Sequence, residues 1–240
     1  MVLKKVFLTG GTGTLGTELI KISREFGIQF VAPSSKTCDI RSFQSVEQQI
    51  VSSECDVVLH CAAATDVRDI ENFQKSSVSA CEINVIGTFN IMKVCEKHNK
   101  KLIFISTDHV FDGEKGNYKI TDSLNPLTKY AKTKTAAELV TRIYNNSLII
   151  RTSFFGYVFP YPAAFTDQWS SKDYVDLIAP KVLEAVVSNT VGIVHVGGTR
   201  RSLYEIAINR KKNVKATSRQ NIDFADFVSP IDTSLEITNE

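Results

Sequence analysis

Short apolar runs alternate along the chain with longer stretches of amphipathic spacing, and their order predicts an α/β fold. The run KKVFLT (4–9) reads as a buried strand, and from Thr14 the residues Leu15, Leu19, Ile22 and Phe26 recur at helical spacing. IQFVAP predicts a second strand. In DIRSFQSVEQQI, which begins at Asp39, a helix is expected to start near Ser42. The clearest buried strand is CDVVLHCAA (55–63); a long helical region over roughly 72–98 and a strand over 101–107 follow it. A helix over 128–144, a strand over 147–153, a helix over 172–187 and a last strand, VGIVHVG, complete the series. This alternation predicts a Rossmann-like, doubly wound parallel sheet with helices on both faces.

The last 40 or so residues are polar and weakly patterned. Within them RRSLYEIAINRKKNVK (200–215) gathers basic residues, which is consistent with a solvated face or with a phosphate-binding edge. The chain has no internal repeat and no low-complexity linker.

At 240 residues the chain fits one large domain, or one domain with a small appendage. Lys plus Arg number 28 against 26 Asp plus Glu, so a net charge of +2 gives no general pull toward nucleic acid or an anionic membrane. A small-molecule partner is expected instead. The five cysteines, Cys38, Cys55, Cys61, Cys81 and Cys95, lack CxxC or Cys/His pairing and read as small buried apolar residues in a reducing cytosol, not as metal ligands. The opening MVLKKVFLTGG carries two lysines but no apolar signal core, and no run is long enough to span a bilayer, so a cytoplasmic location is expected.

The first chemical motif is LTGGTGTLG (8–16), where Gly10, Gly13 and Gly16 fall between the first strand and the first helix. Lacking a Cβ, Gly10 and Gly13 permit a tight turn and close approach of the backbone to a pyrophosphate, while Gly16 permits close helix–sheet packing. The helix N-terminus then faces the phosphates with unpaired N–H groups and partial positive charge. A dinucleotide site therefore includes Gly10, Thr12, Gly13, Thr14 and Leu15. At the end of strand two, PSSK (33–36) offers Ser34, Ser35 and Lys36 where a strict NAD site would carry an acidic residue. This favours NADP(H), with NAD(H) also allowed.

The Gly-x-x-Gly-x-x-Gly spacing resembles the extended branch of the short-chain dehydrogenase/reductase superfamily. That resemblance implies a YxxxK pair, and YAKTK places Tyr130 and Lys134 on one helical face. A ketone that accepts hydride needs a proton at its oxygen, and a free phenol, with a pKa of about 10, is a sluggish donor at neutral pH. Lys134 is expected to favour ionisation of the phenol and, by the resemblance, to hold the nicotinamide ribose hydroxyls. The resemblance further implies a Ser or Thr at the preceding strand end to hydrogen-bond the substrate carbonyl: Thr107, or failing that Ser106. Asp108 reads as a residue that orders this loop and His109 as structural.

A narrower resemblance rests on LTGGTGTLG, CDI, HCAAATDV, INVIGTFNI, STDHVFDG, NPLTKYAKTKTAAE and IIRTSFFG, in that order. These segments are similar to the dTDP-4-dehydrorhamnose reductase family over about the first 155 residues. The resemblance implies NAD(P)H-dependent reduction of the C4 ketone of a nucleotide-activated 4-keto-6-deoxysugar, in deoxysugar or surface-polysaccharide biosynthesis. It also implies that Asp39 and Ile40 meet the adenine, and that Ala62, Ala63 and Ala64 let the cofactor cross the sheet. Val67 and Phe154 would flank the substrate. Residues 1–155 would form the NAD(P)-binding domain and 156–240 a small substrate-binding lobe interwoven with it.

The second half departs from the family pattern. Asp167-Gln168 follows Arg151 after only 16 residues, so the lobe is expected to lack an element, while PIDTSLEI still resembles the family's closing segment. Tyr161, Phe165 and Trp169 are available either to stack on a nucleotide base or to fill a core. A homodimer is left open. Two alternatives stand beside the reductase: a non-catalytic cofactor-binding regulator resembling the β subunit of methionine adenosyltransferase, and a nucleotide-sugar epimerase or dehydratase. Sugar-nucleotide dehydratases usually carry an acidic residue where this chain has His109, which favours simple ketone reduction.

Overall fold

In a computed structural model, which describes residues 3–66, 70–71, 77–221 and 228–237, six parallel strands form the central sheet. They are β1 (Lys4–Thr9), β2 (Ile28–Val31), β3 (Val57–His60), β4 (Lys101–Ser106), β5 (Ser147–Arg151) and β6 (Gly192–His195). Their spatial order is 2-1-3-4-5-6, so the order reverses between β1 and β3. Ligands of open α/β sheets bind at such a reversal, outside the carboxyl ends of the strands.

The period-two alternation of each strand fixes the two faces. Val6, Leu8, Val57, Leu59, Ile103, Ile105, Leu148 and Ile150 pack on one face against helices α1 (Thr14–Ile22) and α5 (Val175–Val187). Phe7, Val58 and Leu102 point to the other face, against α2 (Phe43–Ser52) and α3 (Gly87–Lys97). On that same face Phe104 and Ile149 meet Ala137 of α4 (Lys129–Arg142). A short helix, α6 (Leu203–Ile208), starts at Ser202 with a reciprocal Ser202–Glu205 capping box.

The elements end where the chain turns to chemistry. β3 stops at His60 rather than continuing to residue 63; the Cys61 N–H makes a last bond to the Thr9 carbonyl at 3.3 Å, and Cys61, Ala62 and Ala63 line the cleft at the sheet's carboxyl edge. The long helix expected over 72–98 is described from Ser77 and is interrupted by a π turn at Glu82–Ile86, which projects Asn84 inward; residues 72–76 lie outside the described part. The helix expected from residue 172 begins at Val175. Before it, Asp173–Tyr174 pairs with Phe154–Phe155, and Trp169–Ser170 pairs with Arg201–Ser202.

In the basic stretch 200–215, Lys212 and Lys215 are exposed, as on a solvated face, while four other basic residues are engaged within the fold. Arg200 pairs with Asp232, Arg201 with Asp173, and Arg210 with Asp176, while Lys211 donates to the Tyr161 carbonyl. These bonds tie the polar C-terminal third together and to the start of α5. Of the cysteines, Cys38, Cys55 and Cys95 are buried, but Cys81 is exposed and Cys61 is half-buried and lines the cleft. No helix among the described residues is long and apolar enough to cross a membrane.

Candidate active site

The glycine turn after β1 is possible only without side chains. Gly10 adopts φ +73°, and a Cβ there would lie 2.7 Å from the Ala62 nitrogen. A Cβ on Gly16 would lie 2.3 Å from the Gly10 carbonyl oxygen, which brings the start of α1 directly onto the turn. The Gly13 N–H closes the turn on that same carbonyl at 3.0 Å. Ser42 and Thr128 cap α2 and α4 through their side chains, whereas α1 begins at Gly13 without such a cap. With glycine at the cap position, the missing side-chain bond costs the helix only about a few tenths of a kcal/mol. Here it leaves first-turn N–H groups free for an anion.

Two cavities meet at this turn, of about 490 and 380 Å³, and both are lined by Gly10, Gly13, Cys61 and Ala63. The larger extends over Thr12, Ser35, Asp39, Ile40, Arg41 and Ala62. The smaller extends over Thr14 and Leu15 to Thr107, His109, Tyr130, Lys134 and Phe154. A bent, two-armed ligand with its anionic centre at the helix N-terminus fits this shape, as a dinucleotide requires.

Several residues singled out in the sequence lie elsewhere. Ser34 faces the Thr37 hydroxyl at 3.3 Å, and Lys36 is exposed; neither lines a cavity, although Ser35 does. Arg41, which the sequence pattern did not suggest, lines the larger cavity and makes a forked pair with Asp39 at 2.8–3.2 Å. Its guanidinium holds the Asp39 carboxyl below the usual carboxylate range. Ala64 is fixed from behind: its N–H donates to Asn84 at 2.7 Å, and its carbonyl accepts from the Asn84 amide at 3.0 Å. The same amide donates to Thr133 at 2.9 Å, so Asn84 ties the cleft wall to the residue beside Lys134. An Asn within the apolar pattern of INVIGTFNI was the available signal. Val67 lies outside the described residues.

Thr107 ends β4 and caps the short turn Asp108–Val110, accepting the His109 N–H at 3.2 Å and donating to Asp108 at 3.1 Å. Ser106 also lines the smaller cavity, but its hydroxyl is engaged, donating to Glu138 at 2.6 Å. Asp108 is buried and receives the hydroxyls of Ser153, of Ser170 at 3.2 Å and of Thr233 at 2.7 Å. Burial pushes its carboxyl up, but His109, Lys172 and these hydroxyls outweigh it and bring the pKa down to about 2. The Asp108 carboxylate therefore joins the β4 loop, the loop after β5 and the C-terminal segment. His109 lines the cavity and meets the Tyr130 ring edge-on at 6.3 Å. Burial lowers its pKa, which keeps the imidazole neutral near pH 7.

The expected Lys134 effect on the phenol is not what the structure has. The Lys134 ammonium donates to the Ile105 carbonyl at 2.7 Å and lies 4.2 Å from the centre of the Phe104 ring. Burial brings its pKa down to about 8. The Tyr130 phenol is pushed up to about 12, by burial and then by the Asp108 charge, with the Thr107 side chain acting in the opposite sense. It is a protonated phenol at neutral pH, the form that can donate a proton.

The aromatic residues of the short lobe divide. Phe154 faces the smaller cavity, whereas Phe159 is buried in a satellite core and stacks edge-on with Tyr161 at 5.5 Å. Trp169 lies beneath the Arg200 guanidinium, 5.0 Å away. Tyr161, Phe165 and Trp169 line neither arm of the cleft.

The profile of the RmlD substrate binding domain matches residues 4–178. The chain belongs to this family. Among RmlD-family relatives, a dTDP-4-dehydrorhamnose reductase from Aggregatibacter actinomycetemcomitans is 34% identical over 155 residues, covering 63% of this chain and 52% of that protein. A methionine adenosyltransferase 2 subunit beta from Bos taurus is 30% identical over 142 residues, 56% of this chain and 42% of that protein. The chain thus spans about half the length of the curated relatives it matches. A crystal structure of dTDP-4-dehydrorhamnose reductase from Bacillus anthracis str. Ames in complex with NADP superposes with a TM-score of 0.87 at 25% identity, covering 98% of this chain and 91% of that one.

Proposed function

We propose that this RmlD-family chain is an NADP(H)-dependent reductase of the C4 ketone of a nucleotide-activated 4-keto-6-deoxysugar, of the kind used in deoxysugar and surface-polysaccharide biosynthesis. The observation that carries the reading is the convergence of Thr107, Tyr130 and Lys134 on the cavity that shares its glycine wall with a dinucleotide-shaped arm. The relatives named dTDP-4-dehydrorhamnose reductase and the NADP complex support both substrate class and cofactor.

The bound nicotinamide would supply the hydride. Tyr130, protonated at neutral pH, delivers the proton to the developing alkoxide, and a product alcohol far less acidic than the phenol makes that transfer downhill. Thr107 holds the carbonyl oxygen beside the phenol, with its own hydroxyl oriented by Asp108. Lys134 lies one helical turn beyond Tyr130 and presents a cation to the ribose hydroxyls. In the other arm Asp39 and Ile40 flank the adenine, and Ser35 with Arg41 receives the 2′-phosphate, for which a guanidinium suits better than a lysine.

The test mixes the purified chain with NADPH and a panel of nucleotide-linked 4-keto-6-deoxysugars. NADPH is consumed only when the ketosugar is present. Tight cofactor binding with no consumption across the panel would favour the binding-only reading, and product without net NADPH loss would favour epimerisation or dehydration.

A further inference from the structure

Lys172 has no place in the catalytic set, yet it lines the same cavity as Thr107, Tyr130 and Phe154. The chain fixes it there because the segment before α5 is not helical: the Lys172 N–H donates to the Ser170 hydroxyl at 3.0 Å, and the next two residues pair with Phe154–Phe155. Its ammonium lies 5.0 Å from the centre of the Phe155 ring, which supports the side chain at the cavity wall. The two carboxylates nearest in the fold are taken. Asp173 pairs with Arg201 at 2.7 Å, and Asp108 is enclosed by the hydroxyls of Thr107, Ser153, Ser170 and Thr233. Among the described residues the ammonium forms no ion pair. Asp108 feels the Lys172 charge but lies beyond ion-pair distance and is already shared with His109 and four hydroxyls, so an incoming anion can still complete the pairing of this half-buried cation.

We propose that Lys172 is the anchor for the diphosphate of the nucleotide-linked substrate. The proposal rests on the reductase reading above and adds the residue that selects an activated sugar over a free one. Its position sets it apart from the cofactor's adenosine end: it lines the arm that holds Tyr130 and Phe154 and is absent from the arm of Asp39 and Arg41. The cofactor's pyrophosphate already has the uncapped start of α1. A lysine suits this task as a mobile point charge that does not impose planar, forked geometry on a flexible diphosphate. It also places positive charge beside His109, helping to keep that imidazole neutral.

The experiment measures calorimetric binding of dTDP, UDP and GDP, each against its own nucleoside, to the full chain saturated with NADP⁺. The wild type is expected to bind its preferred diphosphate about 10- to 100-fold more tightly than the nucleoside, the range for a charge-assisted hydrogen bond. Lys172→Met is expected to shrink that ratio to about threefold or less and Lys172→Arg to keep most of it, both with NADP⁺ affinity within about twofold of wild type. A full ratio in Lys172→Met with intact NADP⁺ binding would overturn the proposal while leaving the reductase reading in place. A loss of NADP⁺ affinity without a change in the ratio would also overturn it, by moving Lys172 to the cofactor. If the wild type bound no diphosphate and no nucleotide sugar, the reductase reading would fall first and the proposal with it.

Discussion

Arg151→Met is expected to be among the most destabilising single changes in this chain, because it takes the buried partner from a buried carboxylate. Arg151 and Glu138 are both 0% exposed, with Nη2 to Oε1 at 2.8 Å and Nε to Oε1 at 3.2 Å. The guanidinium also donates to the Ile120 carbonyl at 3.4 Å and meets the His195 imidazole at 3.2 Å. Removing it leaves Glu138 with only Ser106 and Arg142. Breaking a buried pair on one side typically costs about 3–5 kcal/mol. At about 2–4 °C per kcal/mol for a chain of this size, Tm should fall by roughly 6–20 °C. Glu138 lies one turn beyond Lys134 on α4, so the loss should also loosen the helix that holds Tyr130.

The pH dependence of that loss follows from the shift. Burial raises the Glu138 pKa, but Arg151, Ser106 and Arg142 outweigh it and hold the group below its ordinary value. It therefore contributes stability above its unfolded pKa of about 4.3, and that contribution fades as pH falls through the folded value. In Arg151→Met the carboxyl keeps only Ser106 and Arg142 and should protonate more readily, so the gap between variant and wild type narrows in acid. Adding Glu138→Leu should recover most of the stability, because an apolar pair leaves no unpaired charge. Urea and thermal unfolding check these outcomes. A loss under about 1 kcal/mol, or a double variant no more stable than the single one, would refute the argument.

Gly16→Ala should abolish NADPH binding as measured by fluorescence titration, because its Cβ would sit 2.3 Å from the Gly10 carbonyl, against rigid backbone; unchanged affinity would show that the turn is not the cofactor seat. Asp108→Asn should remove the acid-side loss of stability that the wild type shows as pH falls from about 4 toward 2, since a carboxyl with its folded pKa lowered to about 2 stabilises only when ionised. The same change removes the charge that helps hold the Tyr130 phenol high, so the alkaline limb of the turnover profile should move to lower pH.

Much of the sheet was legible because its strands are buried on both faces and its helices are amphipathic. The strand apolar runs and the helix at Ser42 could be placed from spacing alone. Less legible were features made by long-range polar contacts. The interruption of the third long helix depends on Asn84 reaching Ala64 and Thr133, and the late start of α5 depends on pairing with Phe154–Phe155. Local periodicity carries no record of either partner. In the site, YAKTK and STDHVFDG located Tyr130, Lys134 and Thr107, but the direction of the Lys134 ammonium is set by the Ile105 carbonyl, which no motif contains. The expected Ser34–Lys36 phosphate contact missed Arg41, whose position depends on the turn into α2 and its fork onto Asp39. The basic run 200–215 looked free because its acidic partners, Asp173, Asp176 and Asp232, lie far away along the chain.

The most direct test of the proposed chemistry compares wild type and Tyr130→Phe for NADPH consumption in the presence of a nucleotide-linked 4-keto-6-deoxysugar, with NADPH affinity measured on the same samples. The account predicts that the variant binds NADPH within about twofold of wild type while turnover falls by about 100-fold or more, the scale of a lost proton donor. Turnover preserved in Tyr130→Phe would contradict it.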